Sequence, residues 1–239
     1  MTQDDLVALA HAFRDATTED LSTAEAPADF HRATRRAQQR LDQLFTAMTE
    51  EGRVPVACRA GCSFCCYLKV ETRAHDVFAL AAWIDEHFPP AERIALLERL
   101  RAHVARLDGL TIEQQISINF PCPLLRDGCC SAYAARPAAC RVAHSTDVKP
   151  CEYAFQHSED LDAPSGADED VRLGMHVAND GVAWAFREAG YDEDLYHLSA
   201  ALAEALTDPE AQPRWLARRA AFSSAALSRP EEAQDSSII

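Results

Sequence analysis

The sequence predicts a mostly α fold in which helices flank a central, irregular, cysteine-rich core. Three observations carry that expectation. Apolar residues recur at helical spacing in the N-terminal segment and again in the C-terminal third. All nine cysteines lie between Cys58 and Cys151. Period-two runs of the kind that build strands are scarce, and periodicity is the primary local signal of element type.

Taken in order, Asp4 to about Thr17 carries Leu6, Leu9, Ala10 and Phe13 on one face. A second helix is expected from Pro27 to Glu51, with Phe30, Ala33, Ala37, Leu41, Leu44, Phe45 and Met48 along one stripe. Pro27 suits its first turn and Gly52 its stop. A short strand is expected at Tyr67–Thr72, then helices at Ala74–His87 and Ala91–Leu107, the second after Pro89-Pro90. Phe120–Cys151 reads as a loop-rich segment, and the acidic stretch Ser158–Asp170 as an exposed loop. Helices are expected again near Val171–Ala189, Glu193–Leu206 and Pro213–Leu227. The organisation is thus an N-terminal helical segment (1–53), a cysteine core (54–157), a C-terminal helical segment (158–229) and a tail (230–239). Trp184, Phe186, Tyr191 and Tyr196 read as packing residues, and His176 and His197 as ordinary helix-face residues.

A chain of 239 residues that is 48% hydrophobic and 26% charged can bury a real core, so the cysteines are not needed to staple a small fold. A net charge of −15 excludes a general nucleic-acid binder and disfavours anionic membranes. The opening Met1-Thr2-Gln3-Asp4-Asp5-Leu6 has acids where an export signal carries basic residues, and no span of ~18 apolar residues occurs. A cytoplasmic protein is expected. Its basic residues are arginines except Lys69 and Lys149, which with the many alanines fits a GC-rich bacterial coding bias.

Three chemistries compete for the cysteines. Disulfides fit poorly, because the count is odd and two pairs are vicinal, Cys65-Cys66 and Cys129-Cys130. A thiol-redox enzyme would need Cys62-Ser-Phe-Cys65 in a βαβ setting that the sequence lacks. Thiolate coordination of a metal accounts for the clustering best. Gly61 lets the backbone bend between Cys58 and Cys62, while Pro121, Pro123 and Pro137 stiffen the second group, which suits sulfurs held at ~2.3 Å from a metal. Eight or nine sulfurs exceed the four that one zinc or one cubane takes, so a polynuclear metal-binding core is plausible.

The ordered combination Cys58-x3-Cys62-x2-Cys65-Cys66, Cys122-Pro123-Leu124-Leu125, Cys130-Ser131-Ala132-Tyr133 and Arg136-Pro137-Ala138-Ala139-Cys140-Arg141 resembles the YkgJ-like cysteine-cluster family of zinc- or iron-chelating proteins. The resemblance covers about residues 55–145. It implies metal binding by Cys58, Cys62, Cys65, Cys66, Cys122, Cys130 and Cys140, with Cys151 the eighth and least secure. Cys129 falls outside the pattern and reads as a bystander. Similar arrangements in flagellin lysine methylases imply that iron–sulfur chemistry and modification of a protein or small molecule are open to this chain, so a protein partner or substrate is expected.

Cys58-x3-Cys62-x2-Cys65 also has the spacing by which radical S-adenosylmethionine enzymes hold a [4Fe–4S] cluster. The absence of alternating β and α segments argues against that fold. Zinc remains the alternative to iron–sulfur or iron; the sulfur excess and Cys122-Pro123 incline the reading to iron–sulfur, with [4Fe–4S] favoured. Arg136 and Arg141, flanking Cys140, are candidate cofactor-binding residues that would hydrogen-bond a negative cluster or grip an anionic ligand, with a structural pairing to acids equally open. His144 is a possible extra ligand. Tyr133 is expected to pack its ring into the loop. No phosphate loop, paired-carboxylate motif, G-x-S-x-G or H-E-x-x-H occurs, so no organic substrate is named. The expected role is a redox, sensing or metal-handling module; the alternatives are an iron–sulfur enzyme and a structural zinc site.

Overall fold

The computed structural model describes residues 1–50, 54–59 and 61–222. Its elements are helical with four two-residue strands among the described residues, as the sequence predicts. α1 (Gln3–Ser22) starts at a capping box in which Thr2 and Asp5 satisfy each other's backbone N–H. It runs past Thr17, where the apolar stripe thins, because nothing before Ser22 interrupts it. α2 (Pro27–Thr49) begins at Pro27 and buries Phe30, Ala33, Ala37 and Leu41. Gly52, the expected stop, lies outside the described residues.

α3 (Ala74–His87) and α4 (Pro90–Leu107) form as expected on either side of Phe88 and Pro89. α5 (Ile112–Ile116) is a single capped turn. The cysteine segment holds β2 (Leu125–Arg126), β3 (Cys129–Cys130), α6 (Ala138–Val142) and α7 (Val148–Gln156). α8 (Glu169–Glu188), α9 (Leu198–Thr207) and α10 (Ala211–Leu216) complete the described chain.

α1 lies along α8, α2 packs on α1, α3, α6 and α8, and α3 and α4 pack on α9. The α1–α8 approach is close because residue 181 is glycine: a Cβ there would sit 2.4 Å from the Ala10 carbonyl oxygen. An aromatic cluster gathers around α10. Trp215 meets Phe30, Phe78, Phe186 and Tyr191 at ring-centroid distances of 4.7–5.9 Å. Fully burying side chains of this size contributes ~1.5–3 kcal/mol each.

Several expectations need correcting. The strand over Tyr67–Thr72 shrinks to β1 (Glu71–Thr72), which pairs antiparallel with β4 (Tyr196–His197). Tyr67 instead ends a 3-10 turn. The helix expected from Glu193 therefore begins only at Leu198. Glu193 leaves the helix because its carboxylate is drawn inward to His75, Nδ1 to Oε1 3.0 Å, in a fully buried pair stacked under Phe186. His197 is no helix-face residue: it is a buried strand residue stacked near His103 at 5.7 Å, and burial, with His103 adding, pulls its pKa down to about 4. The last expected helix starts earlier and ends at Leu216, and its expected end falls outside the described residues.

Candidate metal centre

The first cysteine group is bent by Gly61, whose φ of 84° is left-handed. Cys62 N–H donates to the Arg59 carbonyl at 3.0 Å. The 3-10 turn Phe64–Tyr67 then carries Cys65 and Cys66, with Cys66 N–H donating to Ser63 at 2.9 Å.

The second group starts with a direct tie to the first: Cys122 N–H donates to the Cys66 carbonyl at 2.7 Å. Leu125–Arg126 and Cys129–Cys130 then form a hairpin through Asp127 and Gly128, both with positive φ (50° and 77°). Asp-Gly at this turn was the legible signal for the hairpin, since both central positions of a type I′ turn need φ > 0. Strand alternation separates the vicinal pair. Cys129 faces solvent, while Cys130 turns inward.

Cys140 sits on α6, whose first turn is held by a residue the sequence reading missed. Asp76 is buried; its carboxylate accepts from Ala138 N–H at 3.0 Å and from Gln38 Nε2 at 2.8 Å. A lone Asp inside an apolar helix is the only trace of this in the sequence. Cys151 rides on α7, which Asp147 caps. Phe155 of the same helix takes the Tyr67 and Phe64 rings edge-on at 4.9 and 5.6 Å, seating α7 on the Cys65–Cys66 turn. The Ser145 carbonyl accepts Ala57 N–H at 2.9 Å, which brings the chain before Cys58 to the segment after Cys140.

All nine cysteines are free thiols, and their charges influence one another across both sequence groups. Cys58 senses Cys62, Cys65 and Cys151. Cys66 senses Cys65, Cys122 and Cys130; Cys140 senses Cys122, Cys130 and Cys65. Cys58, Cys62, Cys65 and Cys151 line one cavity and form an outer set; Cys66, Cys122, Cys130 and Cys140 form an inner set outside it, and Cys65 influences all four of these as well. Among the described residues, no three Cys, His, Asp or Glu side chains are already set to hold a metal ion. Such a site closes when thiols lose protons and turn, since ligands bind as thiolates and unliganded sites are seldom preformed.

Protonation follows burial. It pushes Cys122 up to about 11, against backbone N–H groups of Leu124 and Leu125, and pushes Cys140 up strongly. Burial also raises Cys58 and Cys130. Cys65 goes the other way: a hydrogen bond from Cys66 brings it to about 6, with the Arg136 charge adding, and Cys66 is raised in exchange.

The two arginines share the Asp42 carboxylate, which Arg136 reaches at 3.6 Å, and differ in their other contacts. Arg136 stacks over the Tyr133 ring at 4.0 Å, and its charge favours the thiolates of Cys65 and Cys130. Arg141 is buried and spends its guanidinium on the carbonyls of Arg136 (2.9 Å) and Ala134 (2.8 Å) and on the Asp42 carboxylate. Tyr133 does not pack into the loop as expected: it is 64% exposed, serving as a shelf for Arg136. His144 has partners at both ring nitrogens, the Val142 carbonyl (3.2 Å) and Asp168 N–H (3.2 Å), which makes it a brace at the start of α8.

Residues 57–162 match the CxxCxxCC family model, described as a putative zinc- or iron-chelating domain. Over this segment the chain is similar to that family's domain. The resemblance read from the cysteine pattern is borne out, and the domain extends past Cys151 through α7 into the acidic loop. No curated protein and no solved structure matches the chain. Among the described residues, no helix is long and apolar enough to cross a membrane.

Proposed function

We propose that the chain binds a metal centre through two adjoining sets of four cysteine thiolates and works as a cytoplasmic redox, sensing or metal-handling module. The observation that carries this reading is that the fold gathers free thiols from separate segments, with Cys58, Cys62, Cys65 and Cys151 on one cavity and Cys122 tied through its backbone to Cys66. Four thiolates are what one zinc or one cubane takes. The donor set fits by its chemistry. Thiolates select zinc, iron–sulfur clusters and other soft metals over hard cations.

Iron, held as an iron–sulfur cluster with [4Fe–4S] favoured, is the metal we put first. The inner set is tied to buried backbone and supplies a closed site, whereas the outer set stands at the surface. When bound, the group supplies electron transfer or a Lewis-acidic position. Arg136 offsets part of the negative charge of the thiolates, and Asp76 holds α6, and with it Cys140, in place.

Anaerobic purification with metal, sulfide and visible-spectrum analysis tests the reading. Iron, acid-labile sulfide and broad absorbance near ~400 nm are expected. A colourless protein with stoichiometric zinc overturns the iron assignment; a protein that retains no metal after loading with either overturns the whole.

A further inference from the structure

A second cavity, of about 20 Å3, lies between α4, α5, the residues before β1 and the junction of β4 with α9. One water needs ~10–15 Å3, so there is room for a guest of that size and for no organic molecule. Two histidines line the cavity, His103 from α4 and His197 from β4, with ring centroids 5.7 Å apart. His197 is 8% exposed. The Nδ1 atom of each ring is buried, and neither has a hydrogen-bond partner among the described residues. Buried polar groups are nearly always paired, so two orphans on one cavity call for a guest.

That guest meets two neutral imidazoles. Burial lowers the pKa of both, with Arg106 adding at His103, and with His103 and Lys69 adding at His197, so each ring keeps a free lone pair at neutral pH. The other polar side chains on the lining are already engaged. Lys69 Nζ donates to Glu71 Oε1 at 2.6 Å, a pair without net charge, and Gln115 gives its amide to the Leu110 carbonyl at 3.1 Å. Imidazole lone pairs suit divalent ions such as zinc. Nitrogens held ~2.0–2.1 Å from one ion put two rings about 5–6 Å apart, centre to centre, and this pair already meets that spacing. The ring planes lie 28° apart. The half-buried His103 brings its edge to an ion by turning about χ2, a soft torsion in histidine. A water pairs the same nitrogens but is indifferent to added metal.

We propose that this cavity is a second metal site, which binds one divalent ion of the zinc class through His103 Nδ1 and His197 Nδ1, with water in its other positions. It does not depend on the reading of the cysteines, since neither histidine belongs to either thiol set. Cys122 alone of the inner set borders the cavity. With two protein donors in place of four, the ion here is the more readily exchanged.

The test titrates the full chain, carrying isotope-labelled histidine, with zinc beyond the amount its cysteines take up, and follows the ring-nitrogen resonances. The Nδ1 signals of His103 and His197 should shift together and saturate at one further ion per chain. A chelator should remove that ion before any cysteine-bound metal. His103→Gln should abolish the His197 response and weaken uptake of the ion by more than the ~10–100-fold that losing an outer-shell partner costs, with cysteine-bound metal unchanged. His197→Gln is the reciprocal variant, read at His103. No response of either ring to zinc makes water the only guest and overturns the proposal. Separate midpoints for the two rings do the same. Loss of cysteine-bound metal in His103→Gln makes this histidine a part of the sulfur centre and overturns the second site as well.

Discussion

The aromatic end of the molecule and its sulfur end are held by different physics. Around Trp215, 1% exposed, four further rings pack, three of them from the long helices α2, α3 and α8, and stability there follows apolar area. Around Cys65-Cys66, the regular elements are a 3-10 turn, a two-residue hairpin and helices of five and nine residues. The buried apolar residues there, Leu124, Ala132, Ala135, Ala138 and Val142, are small or few and join the same core. Backbone ties such as Cys122 to Cys66, and the buried Asp76 at α6, set the framework instead.

The largest effect expected from breaking this contrast is on the aromatic side. Trp215→Ala should cost ~3–5 kcal/mol in denaturant unfolding, the usual loss for a buried tryptophan. Metal bound per folded chain should be unchanged. A parallel fall in metal content would mean that the two ends are one cooperative unit and that the comparison fails.

The converse change is Cys122→Ser, at the junction of the two cysteine groups. Metal affinity should drop by more than the ~10–100-fold that losing an outer-shell partner costs. Amide exchange should rise across the cysteine segment while α1, α2 and α8 keep their protection. Cys129→Ser, on the solvent face of the hairpin, should change neither. Equal metal loss in both variants would show that strand alternation does not sort the vicinal pair.

What was legible in the sequence divides along the same line. α2, α3 and α4 could be read because Phe30, Ala33, Ala37 and Leu41 repeat at the helical period, and a stripe of this kind needs no knowledge of its partner. The ordered cysteines pointed to a metal-binding domain because their spacing is local. The short helices α6 and α7 were not legible. They have no stripe of their own, and they form where Asp76, 62 residues away, receives the first turn of α6 and where Phe155 meets Tyr67. His197 was misread for a related reason: Glu193 leaves the helical path to reach His75, a pairing that no local pattern records.

That pair gives a smaller, pH-dependent handle on the scaffold. Burial lowers the His75 pKa and Glu193 raises it more, so His75 is held above its ordinary value; burial likewise raises Glu193 against the pull of His75. Both shifts mean that the folded chain holds protons the unfolded chain releases. The stabilising contribution of His75 is therefore fully present below the unfolded histidine pKa of ~6.5, and is lost as pH rises through the folded value. Melting temperature should fall more steeply from pH 6 to 8 in the wild type than in His75→Gln. The cysteines titrate alike in both chains, so the difference in slope isolates the pair. Identical slopes would remove His75 from the account.

The smallest expected effect separates the arginines on the sulfur side. Arg136 favours the thiolates of Cys65 and Cys130, whereas Arg141 is bound into carbonyls and Asp42. Arg136→Gln removes the charge, so those thiol pKa values rise and protons compete harder with metal. At neutral pH, metal affinity should fall by roughly tenfold or less, in line with a single neighbouring charge. Raising the pH above the ordinary thiol value of ~8.5 should erase the difference, because the thiolates then form without help. Arg141→Gln should instead lower stability and leave the pH profile of metal binding where it was. If the two variants shift that profile equally, the arginines share one task, and the distinction between a counter-charge and a structural strut on either side of Cys140 is wrong.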